Sequence, residues 1–149
     1  MKPITTWIVI ADGAQARIVL NDGPGKGVKA GPERTFSAVN VAGREIMADR
    51  PGRSFDSAGQ GRHAMEPRTD PREVEQQKML HELAKYLEQE AKKGSYDRLV
   101  IVAPPRALGS LRSELPPGAR TKVSGELDKD LTQVAIHDLA GHLGSVLPV

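Results

Sequence analysis

Residues 50–72, RPGRSFDSAGQGRHAMEPRTDPR, hold the side chains best suited to chemistry on a polyanion. Five of the chain's 21 basic residues fall there (Arg50, Arg53, Arg62, Arg68 and Arg72) against three of its 19 acidic ones. The formal net charge of +2 is therefore carried wholly by this stretch. A guanidinium presents a planar fork of donors that matches phosphate oxygens, and Arg50, Arg53 and Arg62 are the candidates for such contacts. Phe55, placed among polar residues, can tether the segment to a core or offer a face on which a base stacks. Gly59, Gln60 and Gly61 set an amide that both donates and accepts between two residues without side chains, which lets the backbone approach a ligand closely. His63 stands beside them. The plain alternative is a solvated loop.

Other constellations in the chain offer less. Asp12 closes an apolar run, and metal nucleases gather carboxylates at strand ends. The matching position after the second apolar run is Ala103-Pro104-Pro105, which has no acid, and Asp97 lies at that run's opposite end. Glu82 and Glu88 fall on the polar face of a helix and read as solvated. The four histidines are scattered, and His137 and His142 are five apart instead of the four of a zinc-binding helix. There is no phosphate loop ending in Gly-Lys-Ser/Thr and no Gly-x-Ser-x-Gly elbow. The absence of cysteine excludes disulfides, thiolate zinc sites and a thiol nucleophile, and suits the cytosol. The opening MKPITTWIVIADG is too short and too soon broken by Asp12 to read as a signal peptide or membrane span. The expectation is a cytoplasmic protein with no metal, no cofactor and no membrane contact.

The elements that must position these residues follow from hydrophobic period. Residues 7–11 (WIVIA) form a short apolar run suited to a buried central strand. Asp12-Gly13 predicts a tight turn into a second strand over 16–20, and 33–41 alternates as a third, more exposed strand. A long basic Gly/Arg loop spans 44–72. Asp70-Pro71-Arg72-Glu73 then predicts a helix start, with a capping residue, proline at the first helical position and an acid three residues on. Val74, Leu80, Leu83, Ala84, Leu87 and Ala91 make its apolar stripe, and Lys92-Lys93-Gly94 its stop. A buried strand over 98–103 follows, then a short helix bearing Leu108, Leu111 and Leu115. An outer strand is expected over 119–125. The last helix, capped by Asp130 or Thr132, carries Val134, Ala135, Leu139 and Leu143. The order β-β-β-α-β-α-β-α implies a single α/β domain over 1–149. Its sheet is mixed and five-stranded with helices on its faces, of the ribonuclease-H-like kind.

Several stretches resemble the bacterial host attachment protein family. They are the Asp12 to Arg17 hairpin, 49–57 (DRPGRSFDS), Arg62-His63-Ala64, and Ala103-Pro104-Pro105 with Leu108-Gly109 and Leu111-Arg112. Lys129-Asp130-Leu131-Thr132 completes the set, and the likeness runs nearly end to end. The family in turn looks like a relative of the middle domain of archaeal and eukaryotic peptide release factors and of Pelota. The resemblance implies the mixed sheet already inferred. It also implies a loop comparable to the Gly-Gly-Gln loop of release factors, for which this chain offers Gly59-Gln60-Gly61 preceded by Ala58.

The functional expectation is binding of tRNA or ribosomal RNA through the loop, by Arg50, Arg53, Phe55, Gly59, Gln60, Gly61, Arg62 and His63. An enzyme reading makes Gln60 the water-positioning residue of a peptidyl-tRNA hydrolase. A third reading is a protein interaction module that acts indirectly in attachment to host cells.

Overall fold

The computed structural model describes residues 4–38 and 70–147. Its centre is the apolar run foreseen from the sequence. Strand β1 (Thr6–Ala11) is buried along its whole length, Ile8 and Ile10 facing one side and Trp7 and Val9 the other. Burial on both faces is what a continuous β-branched run is suited to. Asp12 turns the chain: its Oδ1 accepts from the amides of Ala14 (2.7 Å) and Gln15 (2.9 Å), and β2 (Gln15–Asn21) returns antiparallel.

The third strand departs from expectation. In place of one strand over 33–41 there are two of two residues each, β3 (Lys29–Ala30) and β4 (Phe36–Ser37), both paired with the outer edge of β2. Gly31-Pro32 separates them. A Cβ on Gly31 would stand 2.6 Å from the Ile18 carbonyl oxygen, and proline has no N–H for a ladder, so the chain leaves β2 and rejoins it. Residues 39–41 of the expected strand lie outside the described residues.

Helix α1 (Pro71–Lys93) begins as foreseen: Asp70 caps it by accepting from the Arg72 amide at 2.9 Å, with proline in the first turn. Glu73 is drawn to Arg106 at 3.0 Å across the neighbouring helix, so only half of the reciprocal cap is made. Gly94, at φ 76°, ends the helix in the left-handed conformation, and the amides of Gly94 and Ser95 return to the carbonyls of Ala91 and Glu90. Strand β5 (Arg98–Val102) then lies parallel to β1, and α2 (Pro105–Glu114) follows at once.

The outer strand is also displaced. Residues 117–120 form a short helical turn, α3 (Pro117–Arg120), and the strand β6 runs Val123–Leu127, parallel to β5. Glu88, read as solvated, accepts from the Ala119 amide at 2.7 Å and so holds this turn against α1. The last helix starts later than expected, as α4 (Ile136–Leu143). Asp130 and Thr132 close a turn ahead of it, the Asp130 carboxylate accepting from both the amide and the hydroxyl of Thr132.

The sheet order among the described residues is β3-β2-β1-β5-β6, with β4 also on β2, a mixed sheet with helices on both faces. One face packs Leu83, Leu87 and Leu111 of α1 and α2 against Trp7, Val9 and Ile101. The other packs Leu139 and Leu143 of α4 against Ile8, Ile10 and Val100. No helix among the described residues is long and apolar enough to cross a membrane.

Candidate functional site

The eight residues singled out for RNA contact (Arg50, Arg53, Phe55, Gly59, Gln60, Gly61, Arg62 and His63) lie outside the described residues. The structure instead fixes the two points from which their segment departs and to which it returns. Strand β4 pairs Ser37 with Gln15 and Phe36 with Ala16, and the Ala38 amide donates to the Ala14 carbonyl at 2.8 Å. Ala16 in turn pairs with Ala11, the last residue of β1. At the other end Asp70 opens α1, whose Gln76 amide group stands against Gly13, 3.0 Å from where a Cβ would be. The described residues on either side of the segment therefore sit near the carboxyl end of β1, where the Gln76 side chain of α1 lies against Gly13.

That end of the sheet carries a cleft of about 760 Å³ among the described residues. Ligands of open α/β sheets bind where the strands deliver their carboxyl ends and the connections diverge. Here β1 turns into β2 on one side, and its parallel neighbour β5 runs into α2 on the other. The floor is apolar, from Val74, Leu80, Pro104 and Ala107; Gln76, Gln77, His81 and Ser110 supply hydrogen-bonding groups. Two polar pairs join α1 to α2 across it, the Glu73–Arg106 ion pair and the His81 Nδ1–Glu114 contact, each at 3.0 Å. Both pairs are largely solvated, worth at most about 1 kcal/mol each, so they set orientation more than stability. A mostly apolar cleft with a few convergent polar groups is the usual form of a binding site.

The remaining candidates have structural employment. Asp12 spends its carboxylate on Ala14, Gln15 and Thr132, and Asp97 accepts from the Thr5 amide at 2.9 Å. Glu82 reaches Arg34 at 3.8 Å. His137 is exposed and faces Asp138 at 3.5 Å. Among the described residues no three of the His, Asp and Glu side chains converge as metal ligands would. Residues that sequence reasoning passed over are Arg106, His81 and Glu114, which become neighbours only when α1 and α2 pack. Arg17 belongs with them: it shares a β2 face with buried Val19, and a basic residue at an inward strand position was the available signal.

The molecule is thus a mixed α/β sheet domain with a cleft at the carboxyl end of its central strands. Residues 7–143 match the family described as protein required for attachment to host cells, and the chain belongs to that host attachment family. It is similar to an uncharacterized protein, RP470, of Rickettsia prowazekii, with 36% identity over 70 residues. That match covers 46% of this chain and 47% of the relative, so it spans about half of each. Among solved structures, an archaeal translation termination factor, aRF1, aligns over 82% of this chain and 29% of its own, with 14% identity and a TM-score of 0.46. A second structure, named only as an archaeal protein, aligns over 85% and 30% with 15% identity and a TM-score of 0.39.

Proposed function

We propose that this chain is a cytoplasmic RNA-binding module that engages tRNA or ribosomal RNA through residues 50–72. In this reading Arg50, Arg53 and Arg62 contact phosphates, with Phe55, His63 and Gln60 between its glycines as further contacts. One observation carries it. The chain that contains the whole positive excess leaves the described sheet at Ala38, bonded to Ala14 just past β1, and re-enters at Asp70 to open α1, whose Glu73 and Val74 line the cleft. A cationic segment tethered there raises the local concentration of a polyanion at the one end of the sheet where ligands of such folds gather.

The test is the salt dependence of binding to bulk tRNA. Each neutralised phosphate releases counterions, so the logarithm of affinity falls linearly with the logarithm of salt. Replacing Arg50, Arg53 and Arg62 together by alanine should flatten that slope by about two to three units, with an unchanged thermal transition. A chain that ignores tRNA at low salt, or a slope unaltered by the triple substitution, refutes the reading.

A further inference from the structure

Strand β4 is two residues long and joins the edge of β2 through the pairs Phe36–Ala16 and Ser37–Gln15. So short an edge ladder is marginal by itself, and a side-chain stack reaches from it to α1. The Arg34 guanidinium lies over two rings at once, 4.7 Å from the Phe36 centroid and 5.2 Å from that of Tyr86 on α1. The two rings meet each other with centroids 5.7 Å apart, and Tyr86 stacks in turn on Trp7 of β1 at 6.0 Å. Glu82, one helical turn before Tyr86, faces the same guanidinium at 3.8 Å. Thr35, Phe36 and Ser37 share a groove with Glu75, Lys78 and Met79, so this stretch runs beside α1 toward the beginning of the helix. Phe36 is buried and Arg34 exposed, which makes Arg34 the outer jaw of the contact.

We propose that Arg34 is a positioning residue for RNA binding: by clasping β4 to α1 it steadies the described chain on both sides of residues 39–69. The proposal rests on the reading of residues 50–72 as the RNA-contacting stretch. Ala38 follows β4 directly and Asp70 caps α1, so the clasp joins the two elements that flank that stretch. Phosphate contacts made from a segment with fixed ends lose less conformational freedom on binding than contacts made from one whose ends must also be ordered. The Glu82 pair is long and largely solvated and adds little, so the two rings carry the contact. Arg34 acts through those rings and not by meeting phosphate, since its charge already lies over Phe36 and Tyr86.

Two measurements on the full chain test this. The Ala38 amide, which donates to the Ala14 carbonyl at 2.8 Å, reports on the clasp without RNA through its hydrogen exchange. Arg34→Ala, an exposed substitution, should speed that exchange by about threefold to tenfold, the range that a cation over two rings supplies. It should weaken binding to bulk tRNA by a similar factor. The salt slope of binding should stay that of the parent, because no phosphate contact is lost. Arg34→Lys keeps a cation over the rings and should recover most of both effects. A slope reduced by about one unit makes Arg34 a phosphate contact and overturns the proposal. Unaltered exchange at Ala38 or unaltered affinity in Arg34→Ala overturns it too, as does a lysine variant no better than alanine. A parent chain that ignores tRNA refutes the RNA reading and the positioning role together, while exchange at Ala38 still decides whether Arg34 clasps β4 to α1.

Discussion

Tyr96 illustrates how far one side chain's chemistry is set by its surroundings. It is buried, its hydroxyl donates to the Leu87 carbonyl at 2.7 Å, and its ring packs on Trp7 with centroids 4.9 Å apart. Burial, with Glu88 and Glu90 nearby, pushes the phenol well above its ordinary range. In the unfolded chain the same group loses its proton near pH 10, about its model value. Above that pH the unfolded state binds fewer protons than the folded one, so stability falls as pH rises, while below it the group contributes no pH dependence. Tyr96→Phe should cost about 1–2 kcal/mol at neutral pH through the lost hydrogen bond, yet lose less further stability between pH 8 and pH 11 than the parent. Urea unfolding midpoints at the two pH values measure this, and equal losses in both proteins would rule it out. Glu126 works in the opposite direction. The Arg112 hydrogen bond holds its carboxyl below the usual range, so that stabilisation is present above the ordinary glutamate value and fades as pH falls through the lowered one. Arg112→Gln should therefore leave a shallower acid limb in the same midpoint measured from pH 6 to pH 3.

At the scale of elements, α1 is the best specified piece of the chain. Its cap, its proline, its apolar stripe and its glycine stop are all local in sequence, and each appears where the residues put it. Asp70→Ala should remove the bond to the Arg72 amide and cost about 1 kcal/mol, with helix content otherwise unchanged. Asp70→Asn keeps the acceptor and should recover most of that loss; no difference between alanine and asparagine would show that the cap contributes nothing. The elements misjudged from sequence are those whose ends depend on distant partners. The turn over 117–120 exists because Glu88, some thirty residues earlier, accepts from the Ala119 amide. Residues 131–135 stay out of α4 where Arg17 takes the carbonyls of Leu131 and Val134. Nothing within either segment announces those partners.

At the scale of the molecule the sheet separates two apolar clusters, one under α1 and α2 and one under α4. Substitutions on opposite faces share no side-chain neighbours, so their costs should add. Leu83→Ala on the first face should cost about 2–5 kcal/mol and Ile8→Val on the second about 0.5–1.5 kcal/mol. The double variant should lose their sum to within about 0.5 kcal/mol in one cooperative transition. A coupling well beyond that would mean that β1 transmits strain from one face to the other.

The sequence by itself determined the central strands, the long helix, the mixed pairing and the family. Each of these rests on short-range signals: a run apolar on both faces, a capped three-and-four-residue stripe, a turn doublet. It also showed that the positive charge is gathered into one segment. Only the tertiary structure decided where the described chain on either side of that segment lies, since β4 and the first turns of α1 both reach the carboxyl end of β1 through contacts between residues far apart in the chain. It alone brought Glu73 to Arg106 and His81 to Glu114 over one cleft. Sites of this kind are made by packing between elements, and hydrophobic period carries no information about which polar residues of different elements will face each other.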